Sequence, residues 1–311
     1  MRYGVAIRRS LAAALTPVLA LTPFAAPAAR AQAPLTQVVM LGTGTPNSDP
    51  DRSGPAVSVV RNGRSYLVDA GPGIVRRAAA AARLGFEALD PKHLKVLFLT
   101  HLHSDHTVGL PDLILSAWVL ERSTPLELYG PPGTQAMVDH LLAAYAADIR
   151  NRLDGLEPAN ETGYQVNVHE IVPGMVFDDG NIKVTAFAVP HGDWEVAFGY
   201  RFDSVDRSIV ISGDTRASEA VVAACNGCDL LVHEVYSAER FTSRPPEWQR
   251  YHARAHTSTE ELAAIATRAR AIQLVLYHQL YWGTDDAGLV AELARAGYSR
   301  RVVAARDLGV Y

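Results

Sequence analysis

Three histidines and one aspartate lie within six positions of the chain, at His101, His103, Asp105 and His106. They follow the apolar run 96–99, which is typical of a short buried strand. In an extended segment His101 and His103 point the same way, so they can bind one metal ion together. Asp105 and His106 lie where the chain turns, and their side chains can reach a second ion. Imidazole and carboxylate ligands together suit zinc best, with iron or manganese as alternatives.

The elements around this cluster would position it at the end of a strand. Residues 109–115 predict the start of a helix, with Pro111 in its first turn. Open α/β sheets place their sites at the carboxyl ends of strands. An exposed polar loop rich in histidine is the alternative, but the chain contains only 11 histidines. We therefore predict a metal site here.

The segment His101–His106 resembles the HxHxDH signature of the metallo-β-lactamase fold hydrolases, and the resemblance extends from about Gln37 to Tyr311. It implies an α/β fold with four layers, the αβ/βα sandwich of the metallo-β-lactamase type, in a single domain over residues 32–311. It also implies two Zn²⁺ ions, with Mn²⁺ or Fe²⁺ as alternatives, and further ligands at later strand ends. The implied ligands are His101, His103 and His191 for one metal, Asp105, His106 and His278 for the other, and Asp214 as the bridge.

Two later segments resemble the ribonuclease Z branch of this family. His233-Glu234 is similar to its "HEAT" segment, and the run 254–262 is similar to its H-[ST]-[ST] segment. The resemblance implies that His256 protonates the leaving group and that Glu234 orients it; a purely structural role for this pair is the alternative. The candidate catalytic residues are thus Asp105, His256 and Glu234.

The resemblance implies a dinuclear zinc hydrolase in which a metal-bridging hydroxide attacks a small ester, either a phosphodiester or an aryl sulfate ester. A lactonase or β-lactamase on the same metal core is the alternative, and it would not require His256. A non-enzymatic zinc-binding protein is a further alternative, which the complete ligand set disfavours. The segments 237–252 and 280–283 carry aromatic residues that predict either a lid over an aryl group or a surface loop.

The other patterns predict ordinary elements. The dipeptide Asn62-Gly63 predicts a hairpin turn between two strands, and one helix is expected from Thr134 to about Arg152. Asp69, at the end of the second hairpin strand, would either orient the metal loop, as the family implies, or cap a helix. Ser258 and Glu261 predict a capping box for a helix that starts at Thr259.

Residues 1–31 have the order of an export signal: arginines, a short apolar stretch and an A-x-A site before cleavage after Ala31. We expect a periplasmic or secreted protein with no membrane contact after cleavage. An uncleaved anchor is the alternative, and the Sec and twin-arginine routes both stay open. Removing the four arginines of this segment takes the formal net charge from −4 to −8.

The expected partner is a small-molecule ester substrate, and nucleic acid is not expected. Export would separate the enzyme from transfer RNA, and the stretch 148–165 is acidic on balance where ribonuclease Z carries a Gly- and Lys-rich arm. A homodimer stays open. Cys225 and Cys228 form a CxxC that could be a small disulfide or two thiols.

Overall fold

The computed structural model describes residues 1–4 and 35–311. Apart from its first four residues, the predicted export signal lies outside the described residues, and so does its cleavage position after Ala31. None of the helices described is both long and apolar enough to cross a membrane.

The first sheet has six strands in sequential order. Its first three strands are antiparallel and the remaining pairs are parallel. The predicted hairpin turn is confirmed, because Asn62 and Gly63 both have positive φ, 47° and 71°. The strands are β1 (Thr36–Gly42), β2 (Ala56–Arg61), β3 (Arg64–Val68), β4 (Val96–Phe98), β5 (Leu126–Gly130) and β6 (Val166–Glu170).

The second sheet has seven strands, also in sequential order. Its first four strands are antiparallel, and its last four strands pair in parallel. The strands are β7 (Gly174–Asp178), β8 (Lys183–Ala188), β9 (Phe198–Asp203), β10 (Ser208–Ile211), β11 (Leu230–Tyr236), β12 (Gln273–Leu280) and β13 (Arg301–Ala304).

Ten α-helices occur in the part of the chain that the structure describes, together with two short 3₁₀ turns. The helices are α1 (Ile74–Arg83), α2 (Ser104–Thr107), α3 (Leu110–Val119), α4 (Thr134–Ala144), α5 (Ala146–Asp154), α6 (Glu219–Cys225), α7 (Ala238–Phe241), α8 (Pro246–Ala255), α9 (Thr259–Ala269) and α10 (Asp286–Arg295).

The layers are helix, sheet, sheet, helix, which confirms the predicted fold class. One core lies between the two sheets; Phe98 of β4 and Phe202 of β9 meet there edge to face, with 5.7 Å between ring centroids. A second core joins α1, α3 and α4 to the first sheet. A third joins α6, α9 and α10 to the second sheet. Each sheet is therefore packed against other elements on both of its faces. Polar groups of a site are consequently expected at the strand ends.

Several elements differ from expectation. The helix expected from Thr134 to about Arg152 is two helices, because the chain turns at Tyr145 between α4 and α5. The segment 237–252, expected as a lid or a surface loop, contains α7 and most of α8, which begins with Pro246 at its first position. The capping box of Ser258 and Glu261 on α9 is confirmed.

The two cysteines form a disulfide at the carboxyl end of α6. The Cα atoms of Cys225 and Cys228 lie 4.7 Å apart, and both residues are buried in the third core. The bond closes a short loop that leads from α6 into β11.

Candidate metal centre and active site

The first ligand cluster follows β4 directly. His101 and His103 lie on the extended connection, and the single helical turn α2 then presents Asp105 and His106. Because the chain changes from extended to helical between them, the pair His101 and His103 and the pair Asp105 and His106 face different sides of the site, as the spacing predicts.

The second sheet supplies the other three predicted ligands. His191 follows β8, and Asp214 follows β10 after Gly213, whose φ of +62° and close approach to the carbonyl of Phe198 exclude a side chain. His278 is the extra residue of a bulge between β11 and β12 and has a φ of 45°. Bulges and strained backbone of this kind often aim a side chain into a site.

All seven predicted ligands meet in one place. In the first group, Nδ1 of His103 lies 2.9 Å from Nε2 of His101 and 3.1 Å from Nε2 of His191. In the second group, Oδ2 of Asp105 lies 3.2 Å from Nε2 of His278. Ligand atoms within each group of three lie within 4.8 Å of one another, as the donors around a single ion would.

Asp214 lies between the two groups. Its Oδ2 is 3.4 Å from Nε2 of His106 and 3.3 Å from Nε2 of His278, and the carboxylate also groups with His101. Its Oδ1 and the Nε2 of His106 are buried without a hydrogen-bond partner among the described residues. Buried polar atoms seldom remain unpartnered, so these two lone pairs fit coordination to a cation.

The contacts behind the ligands fix which ring nitrogen faces the centre. Asp69 approaches Nδ1 of His106 at 2.8 Å and also accepts the hydroxyl and the backbone N–H of Thr100. The carbonyl of Ala255 accepts from Nδ1 of His191 at 2.7 Å. In both rings Nε2 is therefore free to act as the ligand. Asp69 contacts the predicted metal loop through Thr100 and His106; it does not cap α1, whose N-cap residue is Gly73.

The charges of the site favour a cation. Burial lowers the pKa of His101 well below its usual range and brings the pKa values of His103 and His191 to about 4, so these rings are neutral at pH 7. Burial opposes ionisation of Asp214, but the His278 and His106 rings outweigh it and hold its pKa well below the usual range. Burial opposes protonation of His106 and His278, but the carboxylate of Asp214 outweighs it and raises the pKa of both rings, that of His106 well above its usual range, so a divalent metal would displace protons from these two rings on binding. The seven side chains thus fit a divalent metal site, although their assignment as ligands stays a prediction.

His256 and Glu234 lie beside this cluster. Nδ1 of His256 is 3.4 Å from Oε1 of Glu234, which also accepts the backbone N–H of Thr257 at 2.9 Å. Burial, assisted by the charge of Asp214, raises the pKa of Glu234 well above its usual range, and burial lowers the pKa of His256 to about 4. These shifts favour a protonated carboxyl on Glu234 beside an uncharged ring on His256. A Glu234 carboxylate beside a His256 imidazolium would hold the same number of protons.

A cavity of about 640 Å³ opens onto the cluster. The cap, which we define as residues 238–255 with helices α7 and α8, forms one wall, and Trp282 after β12 lies next to it. His252 packs in the middle of this aromatic wall, with its ring centroid 4.7 Å from that of Trp282. The cavity is lined by Pro46, Asn47, His103, Ser104, Asp105, Asp214, Arg244, Glu247, Trp248, Tyr251, His252, His256, His278, Leu280 and Trp282.

Sequence reasoning missed two side chains at this site. Trp194 donates its indole N–H to Nε2 of His103 at 2.8 Å, and Arg244 lines the cavity from the cap. Trp194 could have been suspected, because it lies three residues after His191. Arg244 had no such signal, because nothing in the sequence indicates that α7 and α8 fold against the metal ligands.

Comparison with known proteins identifies the family. The model described as "Beta-lactamase superfamily domain" matches residues 64–279. The ribonuclease Z of Mycobacterium sp. strain KMS is 35% identical over 248 residues, which cover 79% of this chain and 85% of the relative. That of Mycobacterium bovis strain BCG / Pasteur is 32% identical over 88% of this chain and 97% of the relative. The short form of human tRNase Z superposes with a TM-score of 0.65 at 25% identity, over 88% of this chain and 98% of that one.

These relatives overturn the expectation that nucleic acid is not a partner. They carry the name of an RNA-cleaving enzyme, and they align with most of this chain. The expectation was drawn from the export signal and from the charge of the stretch 148–165. No residue of that stretch lines the cavity at the ligand cluster. The charge of the stretch was therefore a poor basis for predicting the substrate.

The extent of these matches decides what the chain is. The family model covers more than half of it, and relatives above 30% identity align with more than two thirds of it. The chain belongs to the beta-lactamase superfamily, as a hydrolase with the metallo-β-lactamase fold that is similar to ribonuclease Z.

Proposed function

We propose that this chain is a divalent-metal-dependent phosphodiesterase that uses two zinc ions. One observation carries the proposal: seven histidine and aspartate side chains from the ends of both sheets converge on one cavity, with buried lone pairs that lack partners within the described residues. His101, His103 and His191 would hold one ion, and Asp105, His106 and His278 the other. Asp214 would bridge the two. Imidazole and carboxylate donors favour zinc, with manganese or iron as alternatives.

When bound, the two ions would activate a water molecule near neutral pH and draw charge from the ester oxygen. The chain contributes the geometry for this chemistry. Asp69 and the carbonyl of Ala255 hold the His106 and His191 rings in place from behind. The buried position of Asp214 keeps bulk water away from the bridging carboxylate.

His256 and Glu234 would handle the proton that the leaving group needs. Glu234 is fully buried and fixed by the N–H groups of Thr257 and Thr215, so it can hold the ring of His256 in one orientation. The proton passes from the His256 ring to the departing oxygen, and Glu234 returns one to Nδ1. General acids of this kind typically contribute about 10²–10⁴-fold to the rate.

RNA is the first candidate substrate, because the relatives are named ribonuclease Z. A small aryl ester, either a phosphodiester or a sulfate ester, is the second. The specific observation that favours it is the aromatic wall formed by Trp248, Tyr251 and Trp282. Aromatic side chains stack on aryl groups and on nucleobases alike, so both substrates suit the same cavity.

A panel of reporter substrates tests the proposal. Metal content per chain is measured first. The loaded enzyme then receives a transfer-RNA precursor, a short oligoribonucleotide, a bis-aryl phosphodiester, an aryl sulfate, a lactone and a cephalosporin. We expect two ions per chain and hydrolysis of the phosphodiesters, with D214A inactive on all six. Turnover of only the lactone or the cephalosporin would support the lactonase or β-lactamase alternative. Failure of the loaded enzyme on all six would support a non-enzymatic zinc-binding protein.

Export is a separate proposal, which the order of arginines, apolar residues and A-x-A site in residues 1–31 supports. N-terminal sequencing of protein from an envelope fraction should find a mature chain that begins at Gln32. A cytoplasmic protein that begins at Met1 would contradict export. An exported phosphodiesterase would meet its substrate outside the cytoplasm, which is why the panel includes a short oligoribonucleotide.

A further inference from the structure

We infer that Arg244 determines substrate specificity by binding an anionic oxygen of the ester, so that the site selects phosphodiesters and sulfate esters over neutral esters. The inference rests on the proposed function and adds the charge class of its substrate. In this scheme Arg244 would contact the substrate directly, through an oxygen that does not leave.

Arg244 lies on the inner side of the cap. It lines the same cavity as His103, Asp105 and His256. Its guanidinium carbon lies 5.5 Å from the centroid of the Trp282 ring, which supports the cation from one face. Its Nε is buried and has no hydrogen-bond partner among the described residues. A buried donor without a partner at the wall of a cavity is suited to bind a ligand.

No carboxylate neutralises this guanidinium within the part of the chain that the structure describes. Two other arginines of this region are paired, Arg254 with Asp193 at 2.9 Å and Arg52 with Asp286 at 3.0 Å. Arg244 has no such ion pair, and it is the single arginine or lysine among the described residues that line the cavity. Three carboxylates line the cavity: Asp105 and Asp214 belong to the predicted metal ligands, and Glu247 forms no ion pair with Arg244 among the described residues. The positive charge is therefore left for a ligand.

The backbone at Arg244 is fixed in advance. Its N–H donates to the carbonyl of Phe241 at 3.1 Å, and its own carbonyl accepts from Nε2 of Gln249 at 2.7 Å. Pro245 and Pro246 follow, and a residue before proline has few backbone conformations. Binding through Arg244 would consequently require little ordering of the chain.

The chemistry of the guanidinium explains the selectivity. Its planar fork of N–H donors fits two oxygens of a phosphate or sulfate group and forms charge-assisted hydrogen bonds with them. A phosphodiester and a sulfate ester each keep one negative charge on non-bridging oxygens at neutral pH. A phosphotriester or a lactone has no such charge and would gain little from Arg244.

Two substrates with the same leaving group measure this effect. Bis(4-nitrophenyl) phosphate is an anion, and methyl bis(4-nitrophenyl) phosphate is its neutral counterpart. In the metal-loaded R244Q enzyme, kcat/KM for the diester should fall about 10–100-fold, mostly through KM, because a charge-assisted hydrogen bond is lost. The value for the triester should stay within about 3-fold. R244K, which keeps the charge, should recover part of the diester activity. The matched control is R240Q, which replaces an exposed arginine of α7 outside the cavity lining and should change neither value.

Equal losses on both substrates, or no loss on the diester, would overturn the inference. Metal content and thermal melting of each variant show whether R244Q still folds, and R244K serves if it does not. If the wild type hydrolyses neither ester, binding decides the inference by itself; the proposed function fails only if the RNA substrates of the panel are not hydrolysed either. Calorimetric titration with diphenyl phosphate should then show weaker binding to R244Q than to the wild type, and equal binding would refute it.

Discussion

The ligand cluster and the cap lie on opposite sides of one cavity, but they are built differently. The ligands are buried on the ends of strands, and residues such as Asp69 hold their rings from behind. The cap is two short helices with exposed aromatic residues; Trp248 is 47% exposed and Tyr251 is 38% exposed. The ligand groups are thus held by both sheets. The cap is held by ring packing, by the carbonyl of Ala255 on His191 and by exposed ion pairs such as Arg254 with Asp193.

This difference suggests that metal binding and substrate choice are separable in this molecule. Changes in the cluster should alter metal content. Changes in the cap should alter which ester is bound and leave the metals in place. The following predictions test that separation from the largest expected effect to the smallest.

Asp214→Ala should have the largest effect. Removal of the carboxylate between the two ligand groups should disturb both sites together and abolish hydrolysis, because both ions would share it. Elemental analysis of freshly purified protein measures this directly. Asp193→Ala, an exposed aspartate that pairs with Arg254, should keep its metal and its activity. Retention of two ions by D214A would show that the carboxylate does not bridge them.

His256→Ala tests the boundary between cluster and cap. Hydrolysis of esters with poor leaving groups should slow by about 10²–10⁴-fold, whereas nitrophenyl esters should be affected far less, because their leaving group needs little protonation. Metal content should not change, and Glu234→Gln should give a weaker form of the same pattern. The measurement is the dependence of rate on leaving-group pKa, with His140→Ala on the exposed face of α4 as the control. An unchanged slope would mean that His256 is structural and would favour the lactonase-like alternative.

The cluster could be predicted from the sequence because its signal is local. Four ligands lie within six positions, and the others stand at the ends of apolar strands, where an ionisable side chain needs a partner. The two-sheet fold was implied by the family that the segment His101–His106 resembles. The ligand roles themselves still await a metal analysis.

The cap could not be predicted in the same way. Its helices are short, at 4 and 10 residues, and Phe241 and His252 from them pack on Trp282 from a distant part of the sequence. Arg122 is a similar case: its buried guanidinium binds the carbonyls of Leu94, Leu113, Ile114 and Gly163. Contacts between residues far apart in the chain leave no periodic pattern, and the charge of a segment does not reveal them.

Asp69→Asn should weaken metal binding without changing substrate choice. The amide keeps the shape of the side chain but loses the charge that faces Nδ1 of His106, and such outer contacts typically contribute about 10–100-fold to metal affinity. Competition with a chelator gives the affinity. Asp51→Asn, an exposed aspartate, should match the wild type. After saturation with metal, the preference of D69N among esters should equal that of the wild type; a changed preference would show that the two functions are coupled.

Trp248→Ala should have the smallest effect and the opposite pattern. The indole is half-exposed on the cap wall and stacks on His252, so its loss should leave both ligand groups intact. An aromatic pair contributes about 0.5–1.5 kcal/mol beyond burial, so KM for an aryl phosphodiester should rise about 2–10-fold. A dialkyl phosphodiester has no ring that could stack on the indole, so its KM should hardly change. Leu156→Ala, which replaces an exposed side chain outside the cavity lining, is the control for general destabilisation. If W248A instead lost metal, or raised KM equally for aryl and alkyl esters, the cap would be part of the metal site's scaffold, and the separation drawn between the two regions would fail.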